Sequence, residues 1–367
     1  MQSAQATQDP IRNLDFLRAV AVLMVVCAHF FGLGPDWLDK GFVRLHLLGL
    51  GGVMLFFVHT SLVLMMSLER MLQEARQNAQ SWRSIVISFY IRRVFRIYPL
   101  SICIILLTVL LHIPQDPFFP YIKLSLSEVA ANLLLVQNLT KMRDAIGPLW
   151  SLPWEVQMYV TLPFLFMLAR TRKLWALALL GAAVVLVNAG GIAAGMRVVR
   201  IIDNVPCFLS GVLAYMLIRR RTLPKLPSWL WPVALAALIA AATLFGDWTM
   251  WKAYWGRWAV CLAVGLLIPQ FRDLPQGWLS NLTHTIAKYS YGIYLFHLPI
   301  IWLVFDKMHW LIQPINTMLF VILTAAISVL AFHWIERPLM EWGKGLTQPA
   351  TNFKPRSMHS ENKPCMA

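Results

Sequence analysis

Arg18 and His29 lie in NLDFLRAVAVLMVVCAHFF (Asn13–Phe31), an apolar run of helix length, with ten residues between them. Eleven steps of about 100° return a helix to within roughly 20° of its starting direction, so the two side chains share one face, about 16 Å apart along the axis. The chemistry this offers is proton transfer by an imidazole held inside an apolar slab, since ionisable residues in a membrane span are costly enough to mark function. Asp15, three residues before Arg18, stands within pairing reach of it. The plainer alternative for His29 is a ring satisfied by a neighbouring helix.

Three further stretches carry polar side chains at helical spacing. In FYIRRVFRIYPL, Arg92 and Arg96 are one turn apart with Arg93 beside them. Two guanidinium forks can then face one phosphate, which makes the trio a candidate cofactor-binding set; topological charge at a membrane surface is the alternative. In PLWSLPWEVQMYVTLP, Ser151, Glu155 and Tyr159 recur every four residues and form one polar stripe. A carboxylate in that setting needs a partner, either an arginine or the His29 ring, and a purely structural ion pair is equally consistent. In KYSYGIYLFHLPII, Ser290, Tyr294 and His297 fall at i, i+4 and i+7 with Tyr291 alongside, as substrate contacts, interfacial anchors or a structural histidine. His59 and Thr60 add a further buried imidazole and hydroxyl, and Glu336 is expected to form a cap or ion pair at the end of the last span. His29, His59, Glu155 and His297 together also fit a proton relay.

The elements that must position these groups are membrane helices. The 367 residues are 58% hydrophobic and 13% charged, with a mean hydropathy of +0.61, which excludes a soluble globular chain. The formal charge of +15 does not indicate nucleic acid, because the basic residues cluster between apolar runs, where they set topology. The cysteines show neither a disulfide framework nor metal-ligand spacing. Apolar runs near 14–34, 46–68, 97–113, 149–169, 174–195, 201–218, 229–246, 255–271, 285–305 and 314–335 predict an all-α, polytopic bundle of about ten transmembrane helices. The run at 129–139 is too short to cross. About two-thirds of the Lys and Arg residues then fall on the side of the N-terminus, which places both termini in the cytoplasm. Glu69–Ser84 reads as a cytoplasmic helical linker, and Pro99 as a kink or start of the third span. The predicted divisions are a cytoplasmic segment 1–13, a transmembrane domain 14–344 and a disordered cytoplasmic tail 345–367.

Read in order, LDFLRAVAVLMVVCAHF, RRVFRIYP, LWSLPWEVQMYVTLP and SYGIYLFHLPI followed by Glu336-Arg337-Pro338 resemble the membrane-bound acyltransferase family 3, integral membrane enzymes that modify bacterial polysaccharides, lipids and some secondary metabolites. The likeness spans Asp15 to Pro338. It implies an acyl-CoA co-substrate, commonly acetyl-CoA, with no tightly bound cofactor and no metal. It further implies a hydroxyl acceptor on a carbohydrate, glycolipid or similar small molecule, and residence in the bacterial inner membrane. By residue, the resemblance makes His29 the catalytic base or proton acceptor and Arg18 its companion, and gives Arg93 and Arg96 to the donor or to essential structure; a covalent acyl-imidazole is the variant in which His29 is the nucleophile. A positioned imidazole fits this task, because a thioester is already activated and the acceptor hydroxyl mainly needs a base. Glu155 is expected to orient His29, and Tyr159, Tyr294 or Arg18 to face the oxyanion. Where the family usually has V-L-S-G-F after its double phenylalanine, this chain has Val58-His59-Thr60-Ser61-Leu62, so no relative's acceptor is carried over. A proton-coupled exporter or flippase of a lipid-linked sugar is the alternative from another class.

Overall fold

The computed structural model describes residues 12–33, 45–117, 120–171, 173–193, 202–220, 224–246, 254–308 and 312–347. Each of the ten apolar runs contains a helix. In chain order these are α1 (Arg12–Leu33), α2 (Leu45–Gln77), α3 (Trp82–Leu110), the short α4 (Leu126–Leu133) and α5 (Gln137–Thr140), then α6 (Leu152–Arg170) and α7 (Leu174–Ala193). They continue with α8 (Val205–Arg220), α9 (Leu230–Leu244), α10 (Trp255–Leu267), α11 (Trp278–Ile301), α12 (Gln313–Ala331) and α13 (Arg337–Gly345). Among the described residues the only β-type pairing is an isolated bridge between Leu226 and Phe271. Six helical segments among the described residues are both long and apolar enough to cross a bilayer: 12–32, 45–77, 82–110, 147–170, 174–191 and 313–345. The chain is therefore an all-helical, multi-pass membrane protein.

Two boundaries differ from the sequence expectation. The predicted linker 69–84 is mostly the end of α2, which runs on to Gln77 before Ala79 turns the chain at φ 50°. Ser81 then caps α3, its hydroxyl accepting from the Ser84 N–H. Consequently α3 starts at Trp82, and the arginines at 92, 93 and 96 sit inside the helix. No breaker separates Trp82 from Arg96, so the helix extends through the polar stretch, and Pro99 lies in its interior. The run at 129–139 resolves into α4 and α5, too short to span. Of the expected tail, residues 345–347 close α13 and its following turn; the rest of it, and residues 1–11 of the expected N-terminal segment, lie outside the described residues.

Between helices in lipid there is little hydrophobic gain, so close approach of backbones through small residues does much of the joining. A Cβ on Gly52 of α2 would stand 2.6 Å from the Ala21 carbonyl oxygen of α1, and one on Gly211 of α8 would overlap the Ser61 hydroxyl of α2. Phe57 and Phe208 stack across α2 and α8 with centroids 4.5 Å apart.

The start of α1 is tied to the segment leading into α11. The Asp273 carboxylate accepts from the backbone N–H groups of Arg12 (3.1 Å) and Asn13 (2.9 Å), groups that a helix N-terminus cannot satisfy internally. Asn13 returns the contact, donating to the Arg272 carbonyl and accepting from the Leu274 N–H, each at 3.1 Å. With their starts pinned together, α1 and α11 run side by side from the same end, and this sets the register of the polar residues between them.

Candidate active site

A cleft with about 730 Å3 of empty space, part of it open to solvent, lies among α1, α2, α3, α6 and α11. Arg18, Arg93 and Arg96 line it on one hand, Glu155, Tyr159 and Tyr294 on the other, and Ser151, Ser290, His59 and Thr60 complete its polar wall. Glu155 accepts from the Thr60 hydroxyl and the Tyr159 hydroxyl, each at 3.1 Å. Arg96 is ion-paired with Glu336, which is 1% exposed and reaches it from the π-helical turn Phe332–Glu336 after α12. Arg18 donates to the Ser290 hydroxyl at 2.6 Å. Arg93 has its Nε buried with no hydrogen-bond partner and lies over the Phe89 ring. The wall thus carries three guanidinium groups against the single carboxylate of Glu155, with Glu336 behind Arg96. Such a surplus of cations suits a polyanionic ligand.

From the cleft a polar seam climbs the α1–α11 interface. Ser290 holds Arg18; one turn on, the Tyr294 hydroxyl hydrogen-bonds Ser151 (2.8 Å) and the Pro148 carbonyl (2.9 Å). Next, His297 meets His29, Nε2 to Nδ1 at 3.0 Å, with ring centroids 5.0 Å apart. The predicted i, i+4, i+7 face of Ser290, Tyr294 and His297 is therefore a continuous line of contacts. His29 and His297 do not line the cleft; the Tyr294 ring, which meets Phe56 on one side and lies 6.1 Å from the His297 ring on the other, stands between.

The structure brings together Arg18, Arg93, Arg96, Glu155, Tyr159 and Tyr294 in one wall, and His29 with His297 in an adjoining pair. Arg92 is turned away from both, its Nε donating to the Thr347 hydroxyl at 3.1 Å. Two expected pairings are replaced. Asp15 contacts the His284 ring at 2.8 Å rather than Arg18, because Arg18 points inward to Ser290. Glu155 faces Thr60 and Tyr159 rather than His29, which lies about three turns of α1 beyond Arg18. Sequence reasoning expected Glu336 to form a cap or an ion pair and named no partner for it, and it missed the Asp273 clamp on α1 altogether. Both contacts join residues more than 200 positions apart, and no local pattern announces them. Among the described residues no cluster of three His, Cys, Asp or Glu side chains could hold a metal ion.

The described residues thus form a helical membrane bundle with arginines, a carboxylate and tyrosines around one cleft. The sequence model of the acyltransferase domain matches residues 11–336, and the chain belongs to that family, acyltransferase family 3. Comparison with curated proteins and with solved structures returns no match.

Proposed function

We propose that the protein moves an acyl group, an acetyl group in the first instance, from acyl-CoA to a hydroxyl of a glycan, glycolipid or small acceptor at the bacterial inner membrane, as a ten-span bundle with both termini in the cytoplasm. The observation that carries the reading is the seam joining an arginine-lined cleft to the His29–His297 pair. In this account Arg93 and Arg96, with Arg18 deeper in, take the phosphates of CoA, and the thioester is carried along the Ser290–Tyr294–His297 face toward His29. The Tyr294 ring must yield for it to arrive.

The acceptor hydroxyl gives its proton to His29 Nε2 as its oxygen attacks the thioester carbonyl. Of the expected donors Tyr294 adjoins the histidine pair and would stabilise the oxyanion, and CoA leaves as the thiol once the imidazolium returns the proton. Bonds and protons balance: one ester forms, one thioester breaks. A covalent acyl-imidazole route would use the same nitrogen. His59 and Thr60, two of the four departures from the family pattern, lie in the cleft wall, where they would shape what is accepted.

The exporter reading requires His29, His59, Glu155 and His297 to pass protons in sequence, yet Glu155 is bonded to Thr60 and Tyr159, not to either member of the histidine pair. The separating experiment supplies [14C]acetyl-CoA to the purified protein in proteoliposomes containing a native membrane extract. Label appearing in a lipid or glycan fraction supports acyl transfer; flux of a lipid-linked sugar without acylation supports export and refutes the proposal.

A further inference from the structure

We infer that His297 is a positioning residue that fixes the tautomer of His29, holding its Nδ1–H so that the Nε2 lone pair faces the acceptor. This rests on the reading of His29 as the base, but it is carried by geometry of its own. A backbone carbonyl can only accept a hydrogen bond, so each ring nitrogen bonded to one must carry hydrogen. His297 Nδ1 lies 3.2 Å from the Ile293 carbonyl oxygen, which puts the proton of the neutral ring on Nδ1 and its lone pair on Nε2. His29 Nδ1 lies 2.9 Å from the Val25 carbonyl oxygen, which likewise puts its proton on Nδ1.

That same His29 Nδ1 is the atom 3.0 Å from His297 Nε2. One donor therefore meets one lone pair, and the two assignments, made from carbonyls on different helices, agree. The opposite tautomer on His29 would set two lone pairs face to face, and on His297 two donors. His297 is fully buried, so water is not at hand to repair either mismatch.

The consequence for transfer is specific. With Nδ1–H shared between Val25 and His297, His29 has its basic nitrogen at Nε2, and after taking the hydroxyl proton it keeps both Nδ1 acceptors as an imidazolium. In serine hydrolases a carboxylate does this orienting; here a neutral imidazole does. The pair then holds one extra proton and not two, since a second would bring like charges together and place hydrogen on both facing nitrogens. The Asp273 clamp at the start of α1 and the Arg18–Ser290 contact set the register that brings the rings into reach.

The test uses the full chain in lipid nanodiscs, as wild type, His297→Leu, His297→Gln and His29→Ala. Transfer is followed from [14C]acetyl-CoA into a native membrane extract. Leu fills the space without an acceptor, whereas the Gln carbonyl oxygen can reach the place of Nε2. His297→Leu is expected to lower kcat by at least roughly 10- to 100-fold, the effect of losing the partner that orients a metal-bound imidazole, and at most the roughly 10⁴-fold seen when a triad carboxylate is lost, with the donor KM unchanged. His297→Gln is expected to recover most of that loss. Independently of any turnover, 15N NMR of the histidine-labelled wild type should show His29 with Nδ1 protonated and Nε2 bare.

Wild-type rates in His297→Leu, equal losses in the Leu and Gln variants, a loss confined to KM, or a protonated Nε2 in the resting protein would each overturn the inference. An inert His29→Ala beside a fully active His297→Leu would remove His297 from the reaction while leaving the base in place. A fully active His29→Ala would instead remove the base, and the NMR result would still decide the tautomer.

Discussion

Arg96 serves two masters, and replacing it should separate them. Its guanidinium is 18% exposed and neutralises a Glu336 side chain that is 1% exposed, whose Oε2 it holds and whose Oε1 has no partner. Arg96→Gln leaves an amide able to donate a hydrogen bond and unable to cancel the charge. Removing one partner of a buried pair costs about 3–5 kcal/mol, because the stranded charge keeps its desolvation penalty. At roughly 2 °C per kcal/mol for a chain of this size, that is about 6–10 °C in the midpoint of thermal unfolding. The double substitution Arg96→Gln with Glu336→Gln removes both charges and should regain most of the loss. The 16 tryptophans give an intrinsic fluorescence readout in a single detergent. Because Arg96 also lines the cleft and Glu336 does not, donor affinity should stay low in the double variant while the unfolding midpoint recovers. A single variant within about 2 °C of wild type, or a double variant no better than the single, would refute the reasoning that the pair is a buried charge balance.

Gly52→Ala should force α1 away from α2, since the new methyl group would meet the Ala21 carbonyl oxygen at 2.6 Å and Val25 at 2.9 Å; we expect a cost of about 1–3 kcal/mol and lower acyl transfer. Gly190→Ala, with nothing within 4 Å of its new Cβ, should leave both unfolding midpoint and transfer unchanged. Near α4, Arg143 bonds Glu128 at 2.6 and 2.9 Å, and this contact, with the Ser125 N–H, draws the Glu128 carboxyl down from 4.5 to about 2. A carboxylate pKa depressed in the folded state contributes stability that is fully present above the unfolded value of 4.5 and is lost as pH falls toward about 2. Following that carboxyl by NMR in wild type and Arg143→Met should show its titration move upward in the variant; an unmoved midpoint would count against Arg143 as the cause.

The ten apolar runs were legible because each needs only composition and length, and each holds a helix. The register of Ser290, Tyr294 and His297 was legible for a similar reason: helical periodicity fixes which residues share a face before any partner is known. The stripe Ser151, Glu155 and Tyr159 reaches one cleft by the same logic. Partners across helices were not legible. Nothing local to Glu155 says that Thr60 sits opposite, nor does anything near His29 point to His297 rather than a carboxylate. The start of α3 was not legible because an apolar window ignores polar helix: the apolar run begins at 97, whereas Arg92, Arg93 and Arg96 already lie within α3. The division of that trio, two facing the cleft and Arg92 facing Thr347, follows from rotation about the helix axis once the neighbours are known.

The claim on which the rest depends is that His29 carries the proton in acyl transfer. Its most direct measurement is the rate at which His29→Ala, folded and with an unchanged unfolding midpoint, moves label from [14C]acetyl-CoA into a native membrane extract. The account predicts a fall of about 10²–10⁴-fold relative to wild type, and a His29→Ala protein that turns over at the wild-type rate would contradict it.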